Sequence, residues 1–161
     1  MSAERKLSHI DAQGHVTMVD VGEKLPTRRR AVAEARVLLP PEVLAKLVDN
    51  ELHVTKGPVF STAVIAGIMA AKKTGELIPL CHPLGLDHVN IEIKMEGHEV
   101  VIRSVAQITA NTGVEMEALT GASIAALTVY DMCKALSHEI VVKEIRLIEK
   151  TGGKNDFRRE A

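Results

Sequence analysis

The chain has 161 residues, enough for one domain with a real core, and 46% of them are hydrophobic, which excludes wholesale disorder. Lys and Arg number 20 against 21 Asp and Glu, a net charge of −1. No global field therefore draws the chain to nucleic acid or anionic lipid, and any anion site must be a local cluster of cations.

A segment over about residues 1–15 is expected to be flexible, and up to Lys24 the chain stays mixed and polar, with one apolar patch at Val16, Met18, Val19 and Val21. Thr27 to Leu39 is rich in Ala and β-branched residues and stops at Pro40-Pro41, so it reads as a strand. Pro41 opens a helix that puts Val43, Leu44, Leu47 and Val48 on one face. Gly57-Pro58 starts a second helix, running to about Lys73 and ended by Gly75, whose Ala and Gly content predicts close packing. Two prolines make Ile78 to Asp87 a loop. Val89, Ile91, Ile93 and Met95 alternate with polar residues, and a turn at Glu96-Gly97-His98-Glu99 leads to a partner strand at Val100 to Ile108. Asn111-Thr112-Gly113 precedes a long helix from about Val114 to Ser137. Ile140 to Ile148 is the last strand, and residues 151–161 form a charged tail, expected to be flexible.

This order is β-α-α-β-β-α-β. Without the additional helix it is βαββαβ, an α+β ferredoxin-like sandwich of an antiparallel sheet with helices on one face, and the whole of residues 1–161 is read as a single domain. Such a fold names no function. Aromatics make up only 2% of the chain (Phe60, Tyr130 and Phe157), so Val, Ile, Leu, Met and Ala must build the core. The longest mostly apolar run, Val59 to Ala71, is shorter than the roughly 20 residues of a bilayer span, and no membrane role is expected. Cys81 and Cys133 lack zinc-type spacing and the N-terminus lacks an apolar signal core, which points to reduced thiols in the cytoplasm.

Several residues could carry chemistry. Proline after Ile78 and after His82 holds both extended, so Cys81 and His82 sit on a stiff loop, either presented to a ligand or buried and satisfied by backbone groups. Asp131 and Lys134 are three apart and so are neighbours on one helix face. They are a surface ion pair or an acid/base pair, and a base role for Lys134 requires that its pKa be depressed against the pull of Asp131. Glu115 and Glu117 in the first turn complement the helix dipole. Arg28-Arg29-Arg30, Lys72-Lys73, and Lys150 with Lys154 could hold phosphates or simply be solvated. Lys56, just before Gly57-Pro58, sits on an entry turn to a buried helix.

At these residues the chain resembles the cyclic pyranopterin monophosphate synthases, also called molybdenum-cofactor biosynthesis protein C. The likeness runs from about Leu7 to Lys154. It includes Met18-Val19-Asp20-Val21, Lys56-Gly57, Ile78-Pro79-Leu80-Cys81-His82-Pro83-Leu84, the stretch from Gly113 to Thr120, and Tyr130-Asp131-Met132-Cys133-Lys134-Ala135. The resemblance implies a lyase that takes 3′,8-cyclo-7,8-dihydro-GTP to cyclic pyranopterin monophosphate with release of diphosphate. It also implies a homohexamer, a trimer of dimers, with the active site at the dimer interface. By position, Asp131, Lys134 and Lys56 match the catalytic residues. Leu80, Cys81, His82, Met116 and Glu117 match substrate contacts, and Glu115, Arg29, Lys72 and Lys150 match further pocket residues. No cofactor or protein-bound metal is implied, although Mg²⁺ could accompany the triphosphate.

The chain departs from that pattern in two places. Asn155-Asp156 follows the tail's Gly-Gly-Lys where Ser-Gly is expected, bringing a carboxylate near the phosphates. Gly121 stands inside the long helix where Ala is expected, at a cost of about 1 kcal/mol. Two rival readings can be set against the enzyme. A non-catalytic nucleotide-binding regulator would have no need for Asp131 and Lys134 together. An RNA-binding module would stack bases on sheet aromatics, which the expected strands lack.

Overall fold

The computed structural model describes Ile10 and residues 13–160. The flexible segment expected over about 1–15 falls largely outside the described residues. The chain builds a five-stranded antiparallel sheet from β1 (Thr27–Leu38), β5 (His88–Glu96), β6 (Glu99–Ala110), β7 (Val141–Thr151) and β8 (Phe157–Arg158), in the order β5-β6-β1-β7-β8. Two helices, α2 (Val59–Ala71) and α4 (Glu115–Cys133), cover one face of it. Without the two-residue β8, this is the βαββαβ sandwich expected from the sequence. Phe157 in β8 is an aromatic in a strand after all, at the edge of the sheet.

Small side chains set how closely the layers approach. Along the central strand, Ala31, Ala33, Ala35 and Val37 are fully buried. Ala118, Ala122, Ala125 and Ala126 of α4 are buried as well, as is Ala63 of α2. Gly121 is explained at the helix crossing. A Cβ on it would lie 2.7 Å from Ser104 Oγ, and a Cβ on Gly67 of α2 would lie 2.8 Å from the Gly121 carbonyl oxygen. Any other residue at either position would push the helices apart. The propensity cost of glycine is offset by packing that only glycine permits.

Two local expectations are corrected. The helix opened by Pro41 ends after one turn as α1 (Pro41–Leu44), and Leu47–Val48 is strand β2, antiparallel to β3 (Glu51–Val54). Asp49 and Asn50 between them have φ of 51° and 62°, the left-handed pair that a two-residue hairpin turn requires. A second two-residue turn, Thr55-Lys56, joins β3 to β4 (Gly57–Pro58) and completes a small three-stranded sheet. The long helix stops at Cys133, short of Ser137, because Leu136 N donates to Cys133 O at 2.8 Å and closes a tighter turn. One further short helix, α3 (Thr74–Leu77), follows α2.

Beyond Thr151 the tail turns back so that β8 pairs with Glu149 and Lys150. Asp156 Oδ1 accepts the Gly152 N–H at 3.0 Å, so the unexpected carboxylate is engaged by the tail's own backbone.

Candidate active site

The expected site residues gather at the two ends of α4. At its C-terminal end, Lys134 Nζ lies 2.7 Å from Asp131 Oδ1 and Lys56 Nζ lies 2.9 Å from Asp131 Oδ2. Lys56 reaches there from the tip of the β3–β4 turn and also donates to the Asp131 carbonyl oxygen at 2.9 Å. Two cations at the end of a helix, where its dipole is negative, are well placed. All three side chains are about half exposed. Hydrogen bonds from Lys134 and then Lys56 pull the Asp131 carboxyl down to about 2, so it is ionised. Asp131 in turn raises the Lys134 pKa above its ordinary value. Within one protomer Lys134 is thus an ammonium, a proton donor and not a base.

At the N-terminal end, a cavity of about 570 Å³ is lined by Leu80, Cys81, His82, Glu115, Met116, Glu117 and Lys150, among others. Glu117 differs from an ordinary first-turn carboxylate in being 4% exposed. Burial, with Glu115 nearby, raises its pKa. Burial and then the Glu117 charge also push up the Cys81 thiol, which argues against a thiolate nucleophile there. His82 Nε2 is 2.9 Å from Val19 O; because a carbonyl only accepts, this nitrogen carries the proton. Lys150 pairs with Glu115 at 3.0 Å, and Glu115 folds back over Gly113, where a Cβ would overlap its carboxylate.

An adjoining recess of about 270 Å³ shares Lys24, Lys150 and Lys154 with the cavity and adds Arg29 and Arg30. Arg29 is held against this recess by donating to the carbonyls of Ala110 and Asn111 at 3.3 and 3.5 Å. Lys72 stands across Glu117, in a third hollow with Thr74, Gly75 and Pro83. Cys133 is fully buried, and its thiol is pushed up to about 11 by burial; it belongs to the core.

The sequence reading did not anticipate Lys24 or the wall formed by Val19 and Val21. The Met18 to Val21 motif was a signal, but nothing in a polar segment indicated that it folds over the α4 N-terminus. His82 and Asn111 hold it there, the latter through Asn111 Nδ2 to Val21 O at 3.2 Å.

A cavity lined by Lys24, Lys150 and Lys154 and a Lys–Asp–Lys cluster lie in one chain whose motifs span both. The model of the MoaC family matches residues 18–153, which include every residue of both clusters except Lys154. The chain belongs to the MoaC family. A curated relative, the cyclic pyranopterin monophosphate synthase of Xanthomonas oryzae pv. oryzae (strain MAFF 311018), is 54% identical over 157 residues, 97% of this chain and 95% of the relative. Within this chain the two clusters lie at opposite ends of one helix. Glu117 and Asp131 are fourteen residues apart on α4, roughly 21 Å along the axis at 1.5 Å per residue. Side chains that far apart are poorly placed to touch one small pocket within a protomer.

Proposed function

We propose that this chain is a lyase of molybdenum cofactor biosynthesis, converting 3′,8-cyclo-7,8-dihydro-GTP to cyclic pyranopterin monophosphate with release of diphosphate. The observation that carries this reading is the exposed Lys56–Asp131–Lys134 cluster in a chain 54% identical to a synthase of that name. Arg29, Lys150 and Lys154 can hold a triphosphate and offset the charge that builds on departing diphosphate. Lys134, kept as an ammonium by Asp131, can give a proton to a ring nitrogen or a leaving oxygen. Buried Glu117, with its raised pKa, is suited to proton exchange with the purine-derived ring.

The site is completed between two subunits, so that the α4 N-terminus of one approaches the Lys56–Asp131–Lys134 cluster of its mate. The apolar side chains exposed on the helical layer, Ile65, Met69 and Leu127, support such a contact. The resemblance read from the sequence implies three such dimers in a homohexamer working in the cytoplasm. No helix of the described residues is long and apolar enough to cross a membrane. Mg²⁺ enters this reading only as a companion of the triphosphate.

The direct test is to incubate the purified protein with the cyclised GTP derivative. Stoichiometric diphosphate and a fluorescent pterin on oxidation are expected, and substrate recovered unchanged would overturn the reading.

A further inference from the structure

Lys56 sits on a two-residue turn of a very small sheet, and so little pairing does not hold a long cationic side chain in one place. The turn is fixed from elsewhere. Helix α2 has Pro58 at its N-cap position, and no side chain caps it from there. Its first N–H groups are satisfied by Glu51, seven residues upstream on β3. Glu51 Oε1 accepts from Phe60 N at 2.7 Å, and Oε2 accepts from Ser61 N at 3.0 Å and Ser61 Oγ at 2.9 Å. Oε1 also takes the N–H of Leu52 at 2.8 Å.

This carboxylate therefore closes the segment 51–61 into a loop, with Lys56 at the tip and α2 at the base. The helix dipole adds to the attraction. Burial alone would raise the Glu51 pKa, but the hydrogen bonds from Phe60 and Ser61 outweigh it and lower the value, so the clamp stays ionised well into acid. At the tip, the Lys56 ammonium donates to the carbonyl and the carboxylate of Asp131 at the end of α4.

We propose that Glu51 is a positioning residue for Lys56, holding the β3–β4 turn against α2 so that the ammonium is delivered to Asp131. This rests on the reading that Lys56 takes part in turnover. Glu51 itself touches no reacting group. A misplacement of about 1 Å at a reacting group costs on the order of 100-fold in rate, so a loosened clamp should appear in kcat more than in KM.

The test uses the full-length protein and two readouts. One is turnover of the cyclised GTP derivative. The other is competitive acetylation of lysines, read by mass spectrometry, with exposed Lys94 as the internal reference. In Glu51→Ala, kcat should fall on the order of 10- to 100-fold with KM changed little. Lys56 should become several-fold more reactive than in wild type relative to Lys94. Glu51→Gln keeps one acceptor oxygen and should fall between the two; it also serves if the alanine variant does not fold. Ile102→Ala, a cavity in the core that does not touch the clamp, controls for loss of stability and should leave Lys56 reactivity unchanged. Unaltered Lys56 labelling in folded Glu51 variants would overturn the proposal, whatever the turnover. If instead Lys56→Ala turns over normally, the catalytic reading of Lys56 fails, while the labelling still decides what Glu51 does.

Discussion

The carboxylate of Asp131 holds the ammonium of Lys134, the residue that caps the C-terminus of α4, at 2.7 Å. Each partner shifts the other: Asp131 falls to about 2 and Lys134 rises above 10.5. A depressed carboxylate contributes stability that is full above its ordinary value of 3.8 and lost as pH falls through about 2. A raised lysine contributes stability that is full below 10.5 and lost as pH rises through its folded value. The pair is thus intact across the whole neutral range. Asp131→Asn removes the charge and keeps one amide oxygen able to accept, so Lys134 should lose its proton at lower pH than in wild type. Lysine acetylation followed against pH should show the Lys134 profile displaced to lower pH in the variant. An unchanged profile would contradict the coupling.

Lys56→Ala and Lys134→Ala should each lower turnover by at least about 100-fold, the lower end of what a positioned proton donor contributes. Both side chains are half exposed, so thermal unfolding should be nearly unchanged, as for other surface ion pairs. Near-normal rates in either variant would remove that lysine from the site.

Gly121→Ala should destabilise the protein although alanine is the better helix former by about 1 kcal/mol. Its Cβ would press on Ser104 Oγ, and overpacking of this kind costs about 1–3 kcal/mol. The Ser104 hydroxyl is buried without a hydrogen-bond partner, so Ser104→Ala alone should be neutral or stabilising. Together the two changes should be less costly than their sum, by about 0.5 kcal/mol or more in urea unfolding. Strict additivity would mean the contact carries no strain.

Treatment with a transition-metal chelator should leave turnover intact. Among the described residues no three His, Cys, Asp or Glu side chains converge on a point. Stoichiometric zinc in purified protein, with activity lost on its removal, would refute this.

The sheet and the two long helices were legible because β5 alternates, Pro40-Pro41 ends β1, and Gly57-Pro58 and Asn111-Thr112-Gly113 mark where α2 and α4 begin. The small sheet was not. Leu47 and Val48 fit a helical face as well as a strand, and only the left-handed geometry at Asp49-Asn50 decides between them. Most residues of both clusters were legible through motifs, but Lys24 and the wall of Val19 and Val21 were not. Spacing did not show that Glu117 is buried while Glu115 pairs with Lys150, because both occupy one helical turn and tertiary packing alone separates them. Nor did it show that Lys56 is clamped by Glu51, a residue outside every motif.

The central claim is that one active site draws Glu117 from one subunit and Asp131 from another. The span of α4 between them supports it, and two-fold pairing would bring the start of one helix to the end of its mate. The decisive measurement is activity after co-expression of Glu117→Ala and Asp131→Ala chains, each folded and inactive alone. In a mixed dimer one site carries both lesions and the other neither. With random pairing, half the dimers are mixed, so about a quarter of wild-type activity should return. Mixed dimers that form but remain inactive would contradict the shared site.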